Sequence, residues 1–427
     1  MGNLIAQIKQ AKEAALKLAS IESETKNKAL TYLVQSIKEN KNKIMEENKK
    51  DIEKAKASNL SESLIQRLIL NEKKLNEIIE IIETVKSLED PIWKITEKTE
   101  LDKNLILEKI TVPIGLIGAI FESRSDATIQ ISSLCIKSGN AVILKGGSES
   151  MNTNKMLVKL IKDSLKKADI PEQAVQLIET REEVREILKL HEHIDLLIPR
   201  GSNKFVRYIQ ENTKIPVLGH SEGICHVYVD KDADISKAIN ICFDAKCQYP
   251  AVCNAMETLL VHKDIAKNFL PLIANKYNEA KVELRGDKET RKVIEAKEAT
   301  GEDWKKEYND LILSIKIVNN ADEAIAHINK YGSKHTDAIV TENQKTAEKF
   351  LSLIDSSSVM HNCSTRFADG FRYGKGAEVG ISTAKLHARG PVGLEGLTLY
   401  KYLLRGNGQI VDDYVKGKKK FTHKKIK

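Results

Sequence analysis

Residues 112–121 read VPIGLIGAIF, ten positions almost without a polar side chain, and this stretch decides the fold. A strand with one wet face alternates apolar and polar residues. A run this short and this uniform instead reads as a strand buried on both faces. The pattern repeats outward. A helix over 127–137 leads to Ala141–Lys145 (AVILK), a helix over 152–167 to 174–179 (AVQLIE), and a helix over 181–190 to 194–199 (IDLLIP). A helix over 202–213 and a strand over 215–218 complete the series. Buried strands alternating with helices predict a parallel sheet covered on both faces, which binds ligands at the carboxyl ends of its strands.

A second α/β series starts at 226–230 (HVYVD). It continues through a helix at 235–246, the strand Met256–His262, a helix at 265–278, a strand at 310–318 and the helix Ala321–Tyr331. A strand at 337–341, a helix at 346–354 and a strand at 357–362 close it. Upstream, Leu4, Ile5, Ile8, Ala11, Ala15, Leu16 and Ala19 recur near the helical period, with similar stripes at 27–49 and 61–87. The polar-alternating stretch 94–111 reads as a hairpin, and the charged segment 281–306 as peripheral. The expected class is α/β, with two parallel-sheet domains and a small β element.

Bulk properties narrow the function. A chain of 427 residues exceeds one ordinary core, so two or three domains are expected. With 41% hydrophobic and 30% charged residues it reads as a soluble globular protein. No apolar run approaches the roughly 20 residues that span a bilayer. The N-terminal helix lacks a signal-peptide centre, and Ala6 stands where a myristoylation motif needs Ser or Thr. The net charge of +8 suggests nucleic acid until it is located. The tail 416–427 (KGKKKFTHKKIK) holds seven lysines and no acid, which leaves +1 on the rest. A terminal lysine run reads as a solvated tail, and 5% aromatics is poor material for stacking bases. Neither a nucleic-acid nor a membrane partner is expected. Six cysteines in so long a chain, with no C-x-x-C pair, make neither a disulfide framework nor a zinc-finger spacing. A reducing, cytoplasmic setting is expected, and no metal.

Two turns, Lys145-Gly146-Gly147-Ser148 and Pro199-Arg200-Gly201-Ser202, each follow an apolar strand and open a helix, where backbone N–H groups favour phosphate. The glycine-rich run 374–380 has neither the dinucleotide-fingerprint spacing nor its strand–helix context. Cys253 sits in a loop, 248–255 (QYPAVCNA), before a strand. A free cysteine is by default a small core residue, so on the residues alone Cys253 stays open between core and nucleophile. Cys135 and Cys242 lie on apolar helix faces, and Cys225 and Cys363 flank strands. Arg124, in Glu122-Ser123-Arg124, closes the deciding strand. Ser364-Thr365-Arg366 and the run His387-Ala388-Arg389 add cations, each by default a surface ion pair. Together they suit an anionic substrate.

The stretches 113–128 (PIGLIGAIFESRSDAT), 135–149 (CIKSGNAVILKGGSE), 195–202 (DLLIPRGS), 252–261 (VCNAMETLLV), 336–341 (TDAIVT) and 362–396 (NCSTRFADGFRYGKGAEVGISTAKLHARGPVGLEG) resemble the γ-glutamyl phosphate reductase family of the aldehyde dehydrogenase superfamily. The resemblance covers nearly the whole chain. The stretch 219–226 (GHSEGICH) is similar to the reductase half of bifunctional pyrroline-5-carboxylate synthases, without room for their kinase half, so a monofunctional chain is expected. The resemblance implies a cofactor domain (1–93 and 113–227), a catalytic domain (228–384), an oligomerisation arm (94–112 and 385–415) and the basic tail 416–427. It implies NADPH-dependent reduction of L-glutamyl 5-phosphate to L-glutamate 5-semialdehyde through a cysteine thioester, in proline synthesis.

By the same resemblance Cys253 is the nucleophile, with Arg124 and Asn254 as catalytic partners. NADP(H) is held by Lys145, Gly146, Gly147, Ser148, Gly201 and Ser202. Arg124, His220, Arg366, His387 and Arg389 face the substrate. A homo-oligomer and channelling from glutamate 5-kinase are implied as well. Oxidising relatives carry a glutamate where 217–220 reads VLGH, and its absence points to reduction. Ser125 replaces the family's usual proline after the arginine, an expected loosening of the Arg124 loop. Cys363 replaces a small residue, and Trp304 has no reading.

Overall fold

The computed structural model describes every residue except Met1, Ser61, Ser123, Ser221 and Lys427, and only the backbone of Gly2, Asn3, Glu62 and Ser63. The deciding stretch forms the strand Leu116–Phe121, whose six residues are all buried. It lies inside an all-parallel sheet in the order Val175–Leu177, Ala141–Lys145, Leu116–Phe121, Leu196–Arg200. The strand expected at 215–218 shrinks to one bridge between Leu197 and Val217. Pro216 has no N–H to extend that ladder. The helices Ser125–Lys137 and Met151–Lys167 cover the sheet, and the helices Ser23–Glu39, Lys41–Ala57 and Glu72–Ser87 pack outside them. Leu30, Leu33 and Ile37, spaced at helical period, join the same core as Ile117 and Ile143.

A second all-parallel sheet has seven strands, in the order Lys297–Glu298, Glu283–Gly286, Ile312–Val318, Met256–His262, Cys225–Val229, Thr336–Val340, Ser358–His361. Three expectations change here. The segment expected to be peripheral supplies the two outermost strands on one side. The boundary set between 227 and 228 would cut Cys225–Val229, so the change of sheet falls before Cys225. Ala377, Val379, Ala388, Val392, Leu394 and Leu397 pack into the first core, so this stretch goes with the first sheet and not, as expected, with the second or with the hairpin at 94–112.

The arm is an antiparallel sheet of Thr398–Arg405, Leu105–Pro113, Ile95–Asp102 and Lys424–Ile426. The last strand corrects the free-tail expectation: Lys424–Ile426 pairs with Lys98, Thr99 and Glu100. Phe421 stacks on Tyr414 with ring centroids 4.2 Å apart, and Lys416 pairs with Asp412 at 2.6 Å. The tail remains solvent-exposed, but it is folded onto the arm. Among the described residues no helix is long and apolar enough to cross a membrane.

Candidate active site

The carboxyl ends of the first sheet and the amino ends of the second face each other across a crevice of about 1590 Å³. From the first sheet come Glu122 and Arg124 after Leu116–Phe121, Lys145 and Gly147 at the end of Ala141–Lys145, and Arg200 to Ser202 at the end of Leu196–Arg200. From the second come Cys253 and Asn254 before Met256–His262, His220 on the segment entering Cys225–Val229, and Glu307 before Ile312–Val318.

The Cys253 loop runs between the helix Ile235–Cys247 and Met256–His262, and a buried ion pair joins its two ends. Lys246 Nζ lies 2.6 Å from Glu257 Oε2, with both side chains fully buried. Burial pushes the Glu257 carboxyl up to about 7, against the opposing pull of Lys246. The other Glu257 oxygen accepts from the backbone N–H groups of Tyr308 and Asn309 at 3.2 Å, which ties the loop carrying Glu307 to the same strand. Asn254 donates from Nδ2 to the Ala368 carbonyl at 2.9 Å, so it fixes the loop's position. Opposite, Gly223 passes so close that a Cβ there would lie 2.1 Å from the Cys253 carbonyl oxygen. Only glycine fits that approach.

Cys253 is half-buried, whereas Cys135, Cys225 and Cys242 are buried. Desolvation raises all three of those thiols, which makes them poor nucleophiles. A ring nitrogen of His220, a ring nitrogen of His335 and the Cys253 sulfur lie within 4.8 Å of one another. His220 Nδ1 is 2.9 Å from the Ile381 carbonyl oxygen. A carbonyl only accepts, so Nδ1 carries the proton and Nε2 keeps a lone pair. Burial lowers the His220 pKa, the Ile381 carbonyl resisting, and a neutral imidazole results near neutral pH.

The cations sort into two groups. Arg200 lines the crevice with its Nη1 buried and without a hydrogen-bond partner among the described residues. Burial and then the charge of Arg124 push its guanidinium below the ordinary value, while Glu378, Asp126 and Cys253 act the other way. Arg366 is also in the crevice, with Nε donating to Gln248 Oε1 at 3.0 Å and an electrostatic pull from Cys253. Arg124 lines the crevice but is exposed, 3.7 Å from Asp126. His387 and Arg389 are outside. The ring of His387 is spent on the Gly396 carbonyl at 3.0 Å, and Arg389 binds the Asp355 carboxylate at 3.2 Å and its carbonyl at 2.9 Å. Arg200 is a site residue that the sequence motifs do not single out. Its place after a buried strand, inside the Pro199–Ser202 turn, was the available signal.

Lys145 also lines the crevice, as do Glu149, Arg181, Arg185 and Arg67. Burial lowers its pKa, with Glu149 opposing and Arg181 reinforcing. Gly146 is required here because a Cβ would lie 2.0 Å from Asn154 Nδ2. Ser148 opens a short 3-10 turn into the helix Met151–Lys167. The helix Asn203–Glu211 already shows its affinity for anions, since the Ser202 N–H donates to Glu122 Oε2 at 3.1 Å. Ser125 proves to be the first residue of the helix Ser125–Lys137, the position where proline is favoured, and its hydroxyl is buried without a partner among the described residues. Ser123 and Ser221, within two of the quoted motifs, lie outside the described residues.

The sequence profile described as the aldehyde dehydrogenase family matches residues 3–301. The γ-glutamyl phosphate reductase of Methanococcoides burtonii is 54% identical, over 98% of this chain and 96% of the relative. That of Acetivibrio thermocellus is 53% identical, over 98% and 97%. The crystal structure of γ-glutamyl phosphate reductase from Thermotoga maritima superposes with a TM-score of 0.93 at 43% identity, covering 95% of this chain and 99% of that one. An acetylating aldehyde dehydrogenase from Geobacillus thermoglucosidasius, at 16% identity and a TM-score of 0.67, shares the fold over 96% and 97%. The chain belongs to the aldehyde dehydrogenase family and, within it, to the γ-glutamyl phosphate reductases.

Proposed function

We propose that the protein reduces L-glutamyl 5-phosphate to L-glutamate 5-semialdehyde and phosphate at Cys253, in proline synthesis, with NADPH as reductant. The observation that carries this reading is a half-buried thiol beside a neutral imidazole, in a crevice that Arg200 and the buried Arg366 also line.

His220 takes the thiol proton, and the thiolate attacks the acyl carbon to leave a thioester on Cys253. The departing phosphate takes that proton from His220, which spares it leaving as a trianion. Arg200, with Arg124 and Arg366, neutralises the phosphoryl group, and the nucleophile loop's N–H groups meet the oxyanion. A nicotinamide held by the Lys145 and Ser202 turns would supply the hydride that reduces the thioester. The thiohemiacetal then collapses, and the thiolate recovers a proton from solvent. Lys145 with Arg181 and Arg185 fits a phosphate on the cofactor's adenosine side, which favours NADPH. The Ser202 N–H would exchange the Glu122 carboxylate for a pyrophosphate oxygen, Gly201 leaving room beside it.

A neutral His220 is itself a base, so the missing glutamate does not by itself exclude water attack on the thioester. Requirement for phosphate in the reverse direction separates reduction from aldehyde oxidation. The outer edge of Thr398–Arg405 exposes Leu399, Tyr400, Tyr402 and Leu404, which supports pairing with a second copy. Channelling from glutamate 5-kinase rests on the resemblance alone.

The test is Cys253→Ala. It should lower kcat by about three orders of magnitude or more while cofactor binding persists. Near-normal turnover, or equal loss from Cys363→Ala, would place the nucleophile elsewhere.

A further inference from the structure

Three segments far apart in sequence bring Cys253, His220 and His335 to one point, at the amino ends of neighbouring strands of the second sheet. Their ligand atoms lie within 4.8 Å of one another. The proposed mechanism uses His220 and leaves His335 without a task. His335 is fully buried, and its Nε2 has no hydrogen-bond partner among the described residues. Its other nitrogen is held 2.9 Å from Thr336 Oγ1, and its ring meets that of His220 edge-on with centroids 4.8 Å apart. A buried imidazole with an orphaned nitrogen beside a reactive sulfur needs an explanation.

We propose that Cys253, His220 and His335 form a binding site for a soft divalent cation, zinc above all, that reversibly shuts off the nucleophile. The donor set is one thiolate and two imidazoles. That set selects zinc or cadmium over magnesium and calcium, and leaves the fourth tetrahedral position to water. His220 is ready to ligate: its Nδ1–H is pinned to the Ile381 carbonyl, the outer-shell arrangement that orients metal-binding imidazoles. Its neutrality removes competition from a proton. Cys253 exchanges its proton for the metal, and the proton leaves to solvent, so no redox partner is needed. The ligand atoms must close by about 1 Å to reach bonds of roughly 2.0 Å to nitrogen and 2.3 Å to sulfur. The crevice gives access. Cys225, with its sulfur 3.8 Å from His335 Nδ1, is not a ligand, because its thiol donates to the Cys253 carbonyl at 3.2 Å and burial keeps it protonated. No short sequence motif carries these ligands, which is why cysteine and histidine spacing gave no hint of them.

The site is tested without turnover, so the result does not depend on the assigned reaction. The full chain is titrated with Co²⁺ alone and followed by the thiolate-to-metal charge-transfer band. Lysines and the tail histidine cannot produce that band. One equivalent should bind, Cys253→Ser should abolish the band, and His220→Asn and His335→Asn should each weaken binding about tenfold or more, while Cys225→Ser stays within about twofold. Should either histidine variant fail to fold, alkylation of the wild-type protein decides instead. Zn²⁺ should slow iodoacetamide labelling of Cys253, located by peptide mass, and Mg²⁺ should not. A silent titration, unchanged affinity in folded histidine variants, loss of the band in Cys225→Ser, or no zinc protection would overturn the site.

Discussion

The two parallel sheets meet the crevice with opposite ends. The first offers the carboxyl ends of its strands, where Lys145, Arg200 and Ser202 follow buried runs and open turns or helices. The second offers amino ends, where the Cys253 loop and the segment of His220 enter their strands. Carboxyl ends of parallel strands with helix N-termini make anion sites by backbone geometry alone. Amino ends have no such general chemistry, so the second half of the site depends on particular side chains and on backbone approaches as close as that of Gly223. On the proposed reading the first half holds the nucleotide and, with Arg366 from the second, the phosphoryl group, while bond making falls to Cys253 in the second half.

That division can be broken by substitution, beginning with the largest effect. Gly223→Ala puts a methyl group against the Cys253 carbonyl and must shift Cys253, the proposed nucleophile. A displacement near 1 Å costs about 100-fold, so kcat should fall by that much or more in steady-state kinetics, with cofactor binding retained. Retained kcat would show that the loop yields and that the close approach is not what positions the thiol.

Next come the cations, where partnering rather than composition should set the ranking. Arg200→Ala removes a half-buried guanidinium whose Nη1 is buried without a partner among the described residues, and kcat/KM should fall by about two orders of magnitude. Arg124 is exposed, and its loss should cost about tenfold under the same assay. Arg389→Ala, outside the crevice and paired with Asp355, should change kcat/KM by less than about threefold. An inverted order would mean that the substrate docks on the 380–392 side.

The first half is sharpened by Lys145→Ala. It should raise KM for NADPH by about tenfold or more, since a partly desolvated ion pair to phosphate contributes on the order of 1–3 kcal/mol. KM for NADH should move far less. Equal shifts would show that Lys145 does not meet the 2′-phosphate.

Legibility in the sequence followed the same line between the halves. Uniform apolar runs announced the first sheet, because burial on both faces leaves no other composition. Lys145 and the Gly201-Ser202 turn could be placed from strand-then-helix order alone. Cys253 could not, since a loop cysteine before a strand is indistinguishable from a core residue until family motifs are aligned with it. His220, Arg200 and His335 depend on contacts between segments more than a hundred residues apart in the last case, such as Cys225 with His335. His387 and Arg389 looked as eligible as Arg366, because nothing local reveals that Gly396 and Asp355 occupy them. The tail misled for a related reason. Its lysines mark solvent exposure, while its pairing with Lys98 to Glu100 is set by the arm's free edge.

The central claim is that an acyl phosphate, not a carboxylate, stands at the oxidised end of the reaction. It is tested most directly in reverse, by supplying pyrroline-5-carboxylate (the cyclised form of the semialdehyde) and NADP⁺ and varying inorganic phosphate. NADPH formation should depend on phosphate, rise with its concentration to saturation, and vanish in Cys253→Ala. Steady NADPH formation without phosphate, with glutamate accumulating, would show that water takes the acyl group and contradict the account.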